Sequence, residues 1–189
     1  MNPITASVRN GVDTEQVYGT LDALKAQPEL ARFVFRAQNT WIDGTYSRTS
    51  IQGFWGAGQE DASREEPFEL AASEPPILFG RNEAPNPAEI VLHALAGCLT
   101  LTIVNIAAAR KVELTEVSSE LEGVLDVRGA TGLDDAYRNG FERIDVRFSI
   151  KGDAPREKLE EIVERAKARS AVYDIVTNPV PVHLTAEVA

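Results

Sequence analysis

The sequence is poor in the residues that hold metals and disulfides. Its 189 residues include one cysteine, Cys98, and two histidines. A disulfide within the chain needs two thiols, and transition-metal sites are built mainly from Cys and His side chains. The counts therefore exclude an intrachain disulfide, and a transition metal would need an unusual set of carboxylate ligands.

Positive charge is also scarce. The chain has 19 Lys and Arg against 29 Asp and Glu, which gives a net charge of −10. A protein that binds nucleic acid neutralises phosphates with clustered Lys and Arg side chains. We therefore expect no nucleic-acid partner.

Long apolar runs are missing as well. No uninterrupted stretch reaches the roughly 18 apolar residues that predict a membrane span, and Met1–Thr5 lacks the basic start and apolar stretch of a secretory signal. The apolar share of 43% and charged share of 25% are typical of a globular chain. We expect a cytoplasmic protein with no membrane partner.

Hydrophobic periodicity changes along the chain and predicts an α+β fold. Residues 13–33 have helical spacing, with Asp13 or Thr14 as the cap, and Pro28 either breaks the helix or opens a second short helix as its first residue. A second amphipathic helix starts at Asp153, which is predicted to cap it. The predicted strands lie in 34–55, with a hairpin at Asp43-Gly44, and in 68–71, 112–127, 142–151 and 180–188.

The polar segment between residues 56 and 67 is predicted to be a solvated, mobile connection. Its acidic part, 59–66, leaves open a weaker hypothesis in which it meets a basic partner.

Residues 87–110 form the clearest helical stretch. Asn86 suits the N-cap, Pro87 suits the first helical position, and Glu89 has nearly the spacing of a capping box. The body of the helix, 90–109, carries no Lys, Arg, Asp or Glu. A helix that is apolar on nearly every side is expected to be buried on every side, so the pattern favours a central core helix.

Cys98 lies in the middle of this helix, among mostly apolar neighbours. Such surroundings make a thiol inert unless a cation or a helix N-terminus is close, and the sequence supplies neither within one turn. Glu89 precedes Cys98 by nine residues and therefore lies on the opposite face of a straight helix. It caps the helix, pairs with a group from elsewhere, or acts through a dimer partner. His93 is expected to be a packed or surface side chain, and Asn105 either a hydrogen-bonded core residue or a pocket lining.

Two segments resemble the motifs of the OsmC/Ohr superfamily. Residues 84–98 (APNPAEIVLHALAGC) resemble its signature helix, and residues 169–182 (RSAVYDIVTNPVPV) its second motif. The likeness covers residues 34–188, so the chain resembles a subgroup with a long N-terminus. It implies a helical extension at 1–33 and an OsmC-like domain at 34–189. The implied fold is an α+β intertwined homodimer, in which two central helices are wrapped by antiparallel sheets.

The resemblance also implies an activity, the thiol-dependent reduction of organic hydroperoxides. In that role Cys98 is the nucleophile, Arg48 the activating cation and Glu89 its orienting carboxylate, with Arg81 as the other candidate cation. No metal or organic cofactor is implied. Aromatic side chains that are candidates to line an apolar pocket, unless they belong to the core, are Trp41, Phe54, Trp55 and Tyr173.

The sequence departs from the family pattern at two places. The second motif has no cysteine near Ser170–Val172, and Ala88 stands where hydroperoxide-reducing members carry an acid. A sulfenic acid on Cys98 would need an external thiol, or Cys98 of another subunit, to be resolved. The departures leave an alternative open: a non-catalytic dimeric binding protein for a small hydrophobic ligand, in which Cys98 is structural.

Overall fold

The structure, a computed structural model, describes residues 8–188, so Met1–Thr5, on which the expected lack of a signal rests, lies outside the described residues. It has an α+β fold with antiparallel sheets, as predicted. The helices are α1 (Thr14–Ala26), α2 (Pro87–Ala109), α3 (Val127–Ala130), α4 (Arg156–Lys167) and α5 (Ala171–Thr177). The strands are β1 (Val8–Arg9), β2 (Val12–Asp13), β3 (Val34–Phe35), β4 (Gln38–Asp43), β5 (Tyr46–Ile51), β6 (Phe54–Gly56), β7 (Gln59–Asp61), β8 (Phe68–Ala72), β9 (Leu114–Val124) and β10 (Arg143–Gly152).

The chain divides into two compact units, which we describe separately. The Cys98 unit comprises residues 8–12 and 92–188, and the other unit comprises residues 13–91. The predicted boundary between residues 33 and 34 separates an extension from a family domain and stays a prediction.

The Cys98 unit is built on the antiparallel pair β9 and β10, close to the two strands predicted there. The C-terminal part of α2 and one face of α4 join this pair in a common core. Ile103, Val112 and Ile162 are at most 1% exposed, and burying each such side chain stabilises the fold by about 1.5–3 kcal/mol. Partly buried side chains packed around them include Leu114, Val117, Phe148, Ile150, Leu159 and Val163.

The predicted capping role of Asp153 is wrong. Its Oδ1 accepts a hydrogen bond of 2.8 Å from the backbone N–H of Glu113, just before β9. The helix α4 instead follows Pro155, which offers no side-chain cap. The carboxylate therefore forms a tertiary hydrogen bond that links the end of β10 to the start of β9. The spacing of residues along the sequence does not reveal such a contact.

The β1–β2 hairpin is hydrogen-bonded to the connection between α2 and β9. The Asn10-Gly11 turn between β1 and β2 has positive φ at both residues, 52° and 77°, as a tight hairpin requires. The Asn10 side chain donates to the Val112 carbonyl at 2.9 Å and accepts from the Leu114 N–H at 2.8 Å. The Asn10 amide thus provides hydrogen-bond partners for two backbone groups in the connection from α2 to β9.

Two three-stranded sheets make up most of the 13–91 unit, in the orders β3-β6-β7 and β4-β5-β8. The helix α1 starts at Asp13, which caps it as predicted, and a 3₁₀ turn follows at Pro28. The predicted hairpin near Asp43-Gly44 is present, since β4 and β5 are joined through Gly44 at φ 53°.

The segment 56–67 is not simply the loose connection that was predicted. It completes a β6–β7 hairpin, whose turn residues Ala57 and Gly58 both have positive φ. Arg64 donates to the Gln52 carbonyl at 2.9 Å, and the Gln52 amide donates back to the Arg64 carbonyl at 3.2 Å. Composition alone suggested a solvated loop, whereas turn geometry and this reciprocal pair order it.

The helix α2 is buried on one face only, which corrects the prediction of burial on every side. Leu95, Leu99 and Ile103 follow each other at four-residue spacing and are at most 5% exposed, while Leu101 is 55% exposed. Residues 8–188 cover one face of the helix and leave side chains of the opposite face exposed. The helix is long and apolar enough to cross a membrane, but the core helix of a soluble protein passes the same test.

The predicted strand at residues 180–188 is wrong for the single chain. These residues have no regular structure, and Val182 and Leu184 are 81% and 86% exposed. A strand exists through ladder hydrogen bonds to a neighbour, and none of the described strands pairs with this alternating segment.

Candidate functional site

The N-terminus of α2 is closed by a capping box that uses Glu89. The Asn86 side chain accepts from the Ala88 N–H at 2.6 Å, and the Asn86 N–H donates to Glu89 Oε2 at 2.8 Å. The Asn86 amide also donates to the Glu74 carboxylate. Of the alternatives for Glu89, the structure therefore shows helix capping, while a role in orienting a cation stays a prediction.

Cys98 lies in the middle of α2 and is partly buried. Its sulfur is 3.1 Å from Ser170 Oγ, and its carbonyl accepts a hydrogen bond of 2.7 Å from the Thr102 hydroxyl. The sulfur therefore has a polar partner from a distant part of the chain, although its neighbours along α2 are mainly apolar.

Ser170 is fixed at the junction between α4 and α5. It is 2% exposed, and its Oγ accepts the Tyr173 N–H at 3.2 Å, which makes it the N-cap of α5. The sequence has no cysteine near Ser170, and no pattern in it predicts a role for the serine. The available signal was the motif resemblance, which implies a cysteine near Ser170–Val172 and so predicts that this segment lies beside Cys98.

Arg48 lies on β5, in the 13–91 unit. Its Nε donates to the Tyr46 hydroxyl at 3.1 Å, and this hydrogen bond raises the pKa of the Arg48 guanidinium. Together with Glu69 and Leu70, these two side chains line a cleft of about 300 Å³. The Tyr46 phenol is neutral, and the Glu69 carboxylate in the same cleft also raises the pKa of Arg48 without forming an ion pair with it at contact distance.

Arg81, the other candidate cation, is paired with a carboxylate in the same unit. Its guanidinium lies 2.6 Å from Asp43 Oδ2 in an exposed ion pair, and that hydrogen bond raises the pKa of Arg81. The charge of Arg81 is thus already compensated, which favours Arg48 as the activating cation. The joint action of either arginine with Cys98 stays a prediction.

The remaining candidates have mixed outcomes. His93 and Asn105 are exposed in the single chain, so Asn105 is not a core residue. Trp41 is 69% exposed, and its indole N–H donates to the Gly44 carbonyl. Tyr173, by contrast, directly contacts the Ser170 hydroxyl through its backbone. Across residues 8–188, no three His, Cys, Asp or Glu side chains are grouped as a metal site would need.

Several solved structures share this fold. An OsmC-like protein from Mycoplasma pneumoniae has a TM-score of 0.55 and 11% identity, covering 77% of this chain and 88% of that one. An organic hydroperoxide resistance protein OsmC from Legionella pneumophila has a TM-score of 0.51 and 17% identity, covering 76% and 88%. Identities this low show the fold alone.

Sequence comparisons place the chain in a family. A search of curated protein sequences gave no match. The model of the family described as OsmC-like protein matches residues 80–185, which is more than half of the chain and includes Glu89, Cys98 and Ser170. The chain therefore belongs to the OsmC-like protein family.

Proposed function

We propose that this protein reduces organic hydroperoxides with Cys98 as the nucleophile and an external thiol as the reductant. The observation that carries the proposal is the hydrogen bond between Ser170 and the Cys98 sulfur, on the helix that the family model matches. A thiol that only fills a core needs no polar partner at its sulfur. A thiolate nucleophile needs one, because a hydrogen-bond donor stabilises the charged form.

The proposed reaction has two stages. The Cys98 thiolate attacks the terminal oxygen of the hydroperoxide, the O–O bond breaks, and the alkoxide leaves and takes a proton to become an alcohol. Cys98 is then a sulfenic acid. A first external thiol displaces water to form a mixed disulfide, and a second thiol releases Cys98 as the free thiol and leaves with the first as a disulfide.

Arg48 and Glu89 have supporting roles in this proposal. The guanidinium of Arg48 favours the thiolate and the departing alkoxide, and Glu89 orients the cation. The side chain of Glu89 already accepts the Asn86 N–H with one oxygen, Oε2. A carboxylate has two oxygens, so the capping role leaves Oε1 for a second partner.

We also propose that the active form is a cytoplasmic homodimer. The uncovered face of α2, with Leu101 55% exposed, supports this arrangement. So do the exposed side chains of Trp41, Ile77 and Phe79 in the other unit, which are 69%, 85% and 85% exposed. Apolar surfaces of this kind mark protein interfaces. Sedimentation velocity should show a dimer for the natural chain and a monomer for Leu101→Glu, whereas a monomeric natural chain would contradict the proposal.

The activity is tested by adding one equivalent of cumene hydroperoxide to the purified protein and measuring its intact mass. A gain of about 16 Da, trapped by a sulfenic-acid reagent and absent in Cys98→Ser, is the expected result. Arg48→Ala should slow the gain, while Arg81→Ala should leave it nearly unchanged. The proposal fails if the folded protein gains no mass and Cys98 resists alkylation until the chain unfolds.

That negative result would favour the alternative function, a dimeric protein that binds a small hydrophobic ligand. The absence of a second thiol beside Cys98 favours this alternative, because no disulfide can close within the chain. Enhanced fluorescence of an apolar dye in the folded protein, unchanged in Cys98→Ser, would support it.

A further inference from the structure

The hydroxyl oxygen of Ser170 lies between two partners. Its oxygen accepts the Tyr173 N–H at 3.2 Å and lies 3.1 Å from Cys98 Sγ. A serine hydroxyl has a single proton to donate. The residue is 2% exposed, the oxygen accepts from Tyr173, and its distance to Sγ suits donation of the one proton to the sulfur.

We infer that Ser170 has two effects on Cys98: its hydroxyl stabilises the thiolate, and its lack of sulfur keeps the oxidised product a sulfenic acid until an external thiol arrives. The inference rests on the proposed function, which it deepens. It assigns a further residue in contact with the reacting sulfur, and it gives the side chain at position 170 a part in holding the oxidised state.

The first effect follows from charge. A hydrogen bond to an ionised acceptor is roughly twice as strong as one between neutral groups. The O–H group of Ser170 therefore favours the thiolate over the thiol. The capping bond to Tyr173 holds the oxygen in place, so the donor does not have to be reoriented when the sulfur loses its proton.

The second effect follows from position. A sulfur atom in place of Ser170 Oγ would start 3.1 Å from Cys98 Sγ, and a disulfide requires about 2.05 Å, so a movement of about 1 Å would close it. An alcohol oxygen does not form this bond. The substitution of sulfur by oxygen at residue 170 thus separates oxidation of Cys98 from its resolution.

The first test measures alkylation of Cys98 by iodoacetamide between pH 5 and 10 in the absence of hydroperoxide. Ser170→Gly removes the hydroxyl but keeps the helix start, because glycine is nearly as good an N-cap as serine. We expect alkylation at pH 7 to become about tenfold slower, with the pH profile moved to higher pH. Ser170→Thr restores the hydroxyl and should restore the profile, and Ser149→Ala, which removes an exposed hydroxyl on β10, should not change it.

The second test uses Ser170→Cys. One equivalent of hydroperoxide should give a mass loss of about 2 Da from a disulfide between residues 98 and 170, where the natural chain gains about 16 Da. Diamide should give the same loss without any peroxide. The inference is overturned if Ser170→Gly alkylates as the natural chain does, or if folded Ser170→Cys forms no disulfide with diamide.

These tests separate the inference from the proposed function. Alkylation and diamide treatment involve no hydroperoxide, so both can succeed in a protein that does not react with cumene hydroperoxide. In that case Ser170 tunes Cys98 as inferred, and the peroxide substrate is wrong. If the natural chain reacts with hydroperoxide but the Ser170 variants behave like it, the function stands and the inference fails.

Discussion

The two units of the chain differ sharply in how they bury apolar side chains. The Cys98 unit has a closed core around Ile103, Val112 and Ile162, each at most 1% exposed. Within residues 13–91, all of which the structure describes, no hydrophobic side chain is fully buried, while Phe35, Ile77 and Phe79 are at least 73% exposed.

This difference shows that the single chain buries a core in the Cys98 unit but leaves many apolar side chains of residues 13–91 exposed. Exposed apolar surface of this kind marks protein interfaces. The candidate cations Arg48 and Arg81 belong to this unit. In the proposed homodimer, a second copy would cover part of this apolar surface.

The largest expected effect comes from opening the closed core. Ile162→Ala removes a side chain that is 0% exposed, and it should lower the free energy of unfolding by about 2–5 kcal/mol through lost burial and a cavity. Urea denaturation followed by circular dichroism measures this loss.

Ile77→Ala is the matched variant in the 13–91 unit, where the side chain is 85% exposed. Its effect on a dilute, monomeric sample should be within about 0.5 kcal/mol. A larger loss that grows with protein concentration would show that another copy covers Ile77. Equal losses for both variants at every concentration would remove the distinction between the two units.

A smaller effect is expected where the 13–91 unit does pack closely. The ring of Phe33 lies over Gly56 and stacks on Phe35 and Phe54, with centroid separations of 6.0 and 6.2 Å. A methyl group at Gly56 would enter the space of the ring, so Gly56→Ala should destabilise the chain by about 1–3 kcal/mol.

Gly19→Ala is the control for that substitution. Gly19 lies within α1 with open space around it, and alanine there should stabilise the helix by up to about 1 kcal/mol. Thermal unfolding of both variants is sufficient, since opposite signs are expected. If Gly56→Ala were also stabilising, the aromatic stack would not be a fixed part of this unit.

The capping box at the start of α2 is expected to contribute about 1 kcal/mol. Asn86→Ala removes the acceptor for the Ala88 N–H and should cost that amount. Glu89→Gln keeps an oxygen that can accept the Asn86 N–H and should leave the unfolding free energy within about 0.5 kcal/mol.

The same glutamine variant separates the two roles of Glu89. If Glu89 orients a cation, the reaction of Cys98 with cumene hydroperoxide should become slower although the fold keeps its stability. An unchanged rate in a stable Glu89→Gln protein would leave helix capping as the sole role of this residue.

The sequence predicted those parts of the fold whose causes are local. Asp13, Pro28, Asn86 and Glu89 are terminus signals that act within one helical turn, and the structure places a helix or turn boundary at each. The alternation of 142–151 likewise gives a strand, because one face of β10 packs on the core.

The errors concern interactions between distant segments or between copies. Asp153 binds the backbone of Glu113, 40 residues away, so its capping pattern was misleading. The burial of α2 and the strand at 180–188 were predicted from patterns that need a covering surface, and the single chain supplies it only in part. For the candidate site, the motif identified Cys98, whereas the contact with Ser170 depends on a fold that joins residues 72 positions apart.

The smallest expected effect compares surface charges in the two units. In the Cys98 unit, hydrogen bonds from Arg128 at 2.9 and 2.5 Å lower the pKa of Asp126 from its ordinary 3.8 to about 2. In the 13–91 unit, the hydrogen bond from Arg36 lowers the pKa of Glu60.

A carboxyl whose pKa is lower in the folded state stabilises the fold above its unfolded pKa, and this stability is lost as the pH falls through the folded value. The urea midpoints of the natural chain and Asp126→Asn should thus differ by a constant amount from pH 7 to about pH 4, and the difference should disappear between about pH 4 and pH 2. Glu60→Gln should show the same sign. Both differences should shrink in 1 M salt, and more so for Glu60, which is 59% exposed, than for Asp126, which is 24% exposed. An Asp126→Asn difference that persists below pH 2 would mean that the side chain acts through packing or helix capping of α3, where Asp126 Oδ1 also accepts the Arg128 N–H, rather than through its charge.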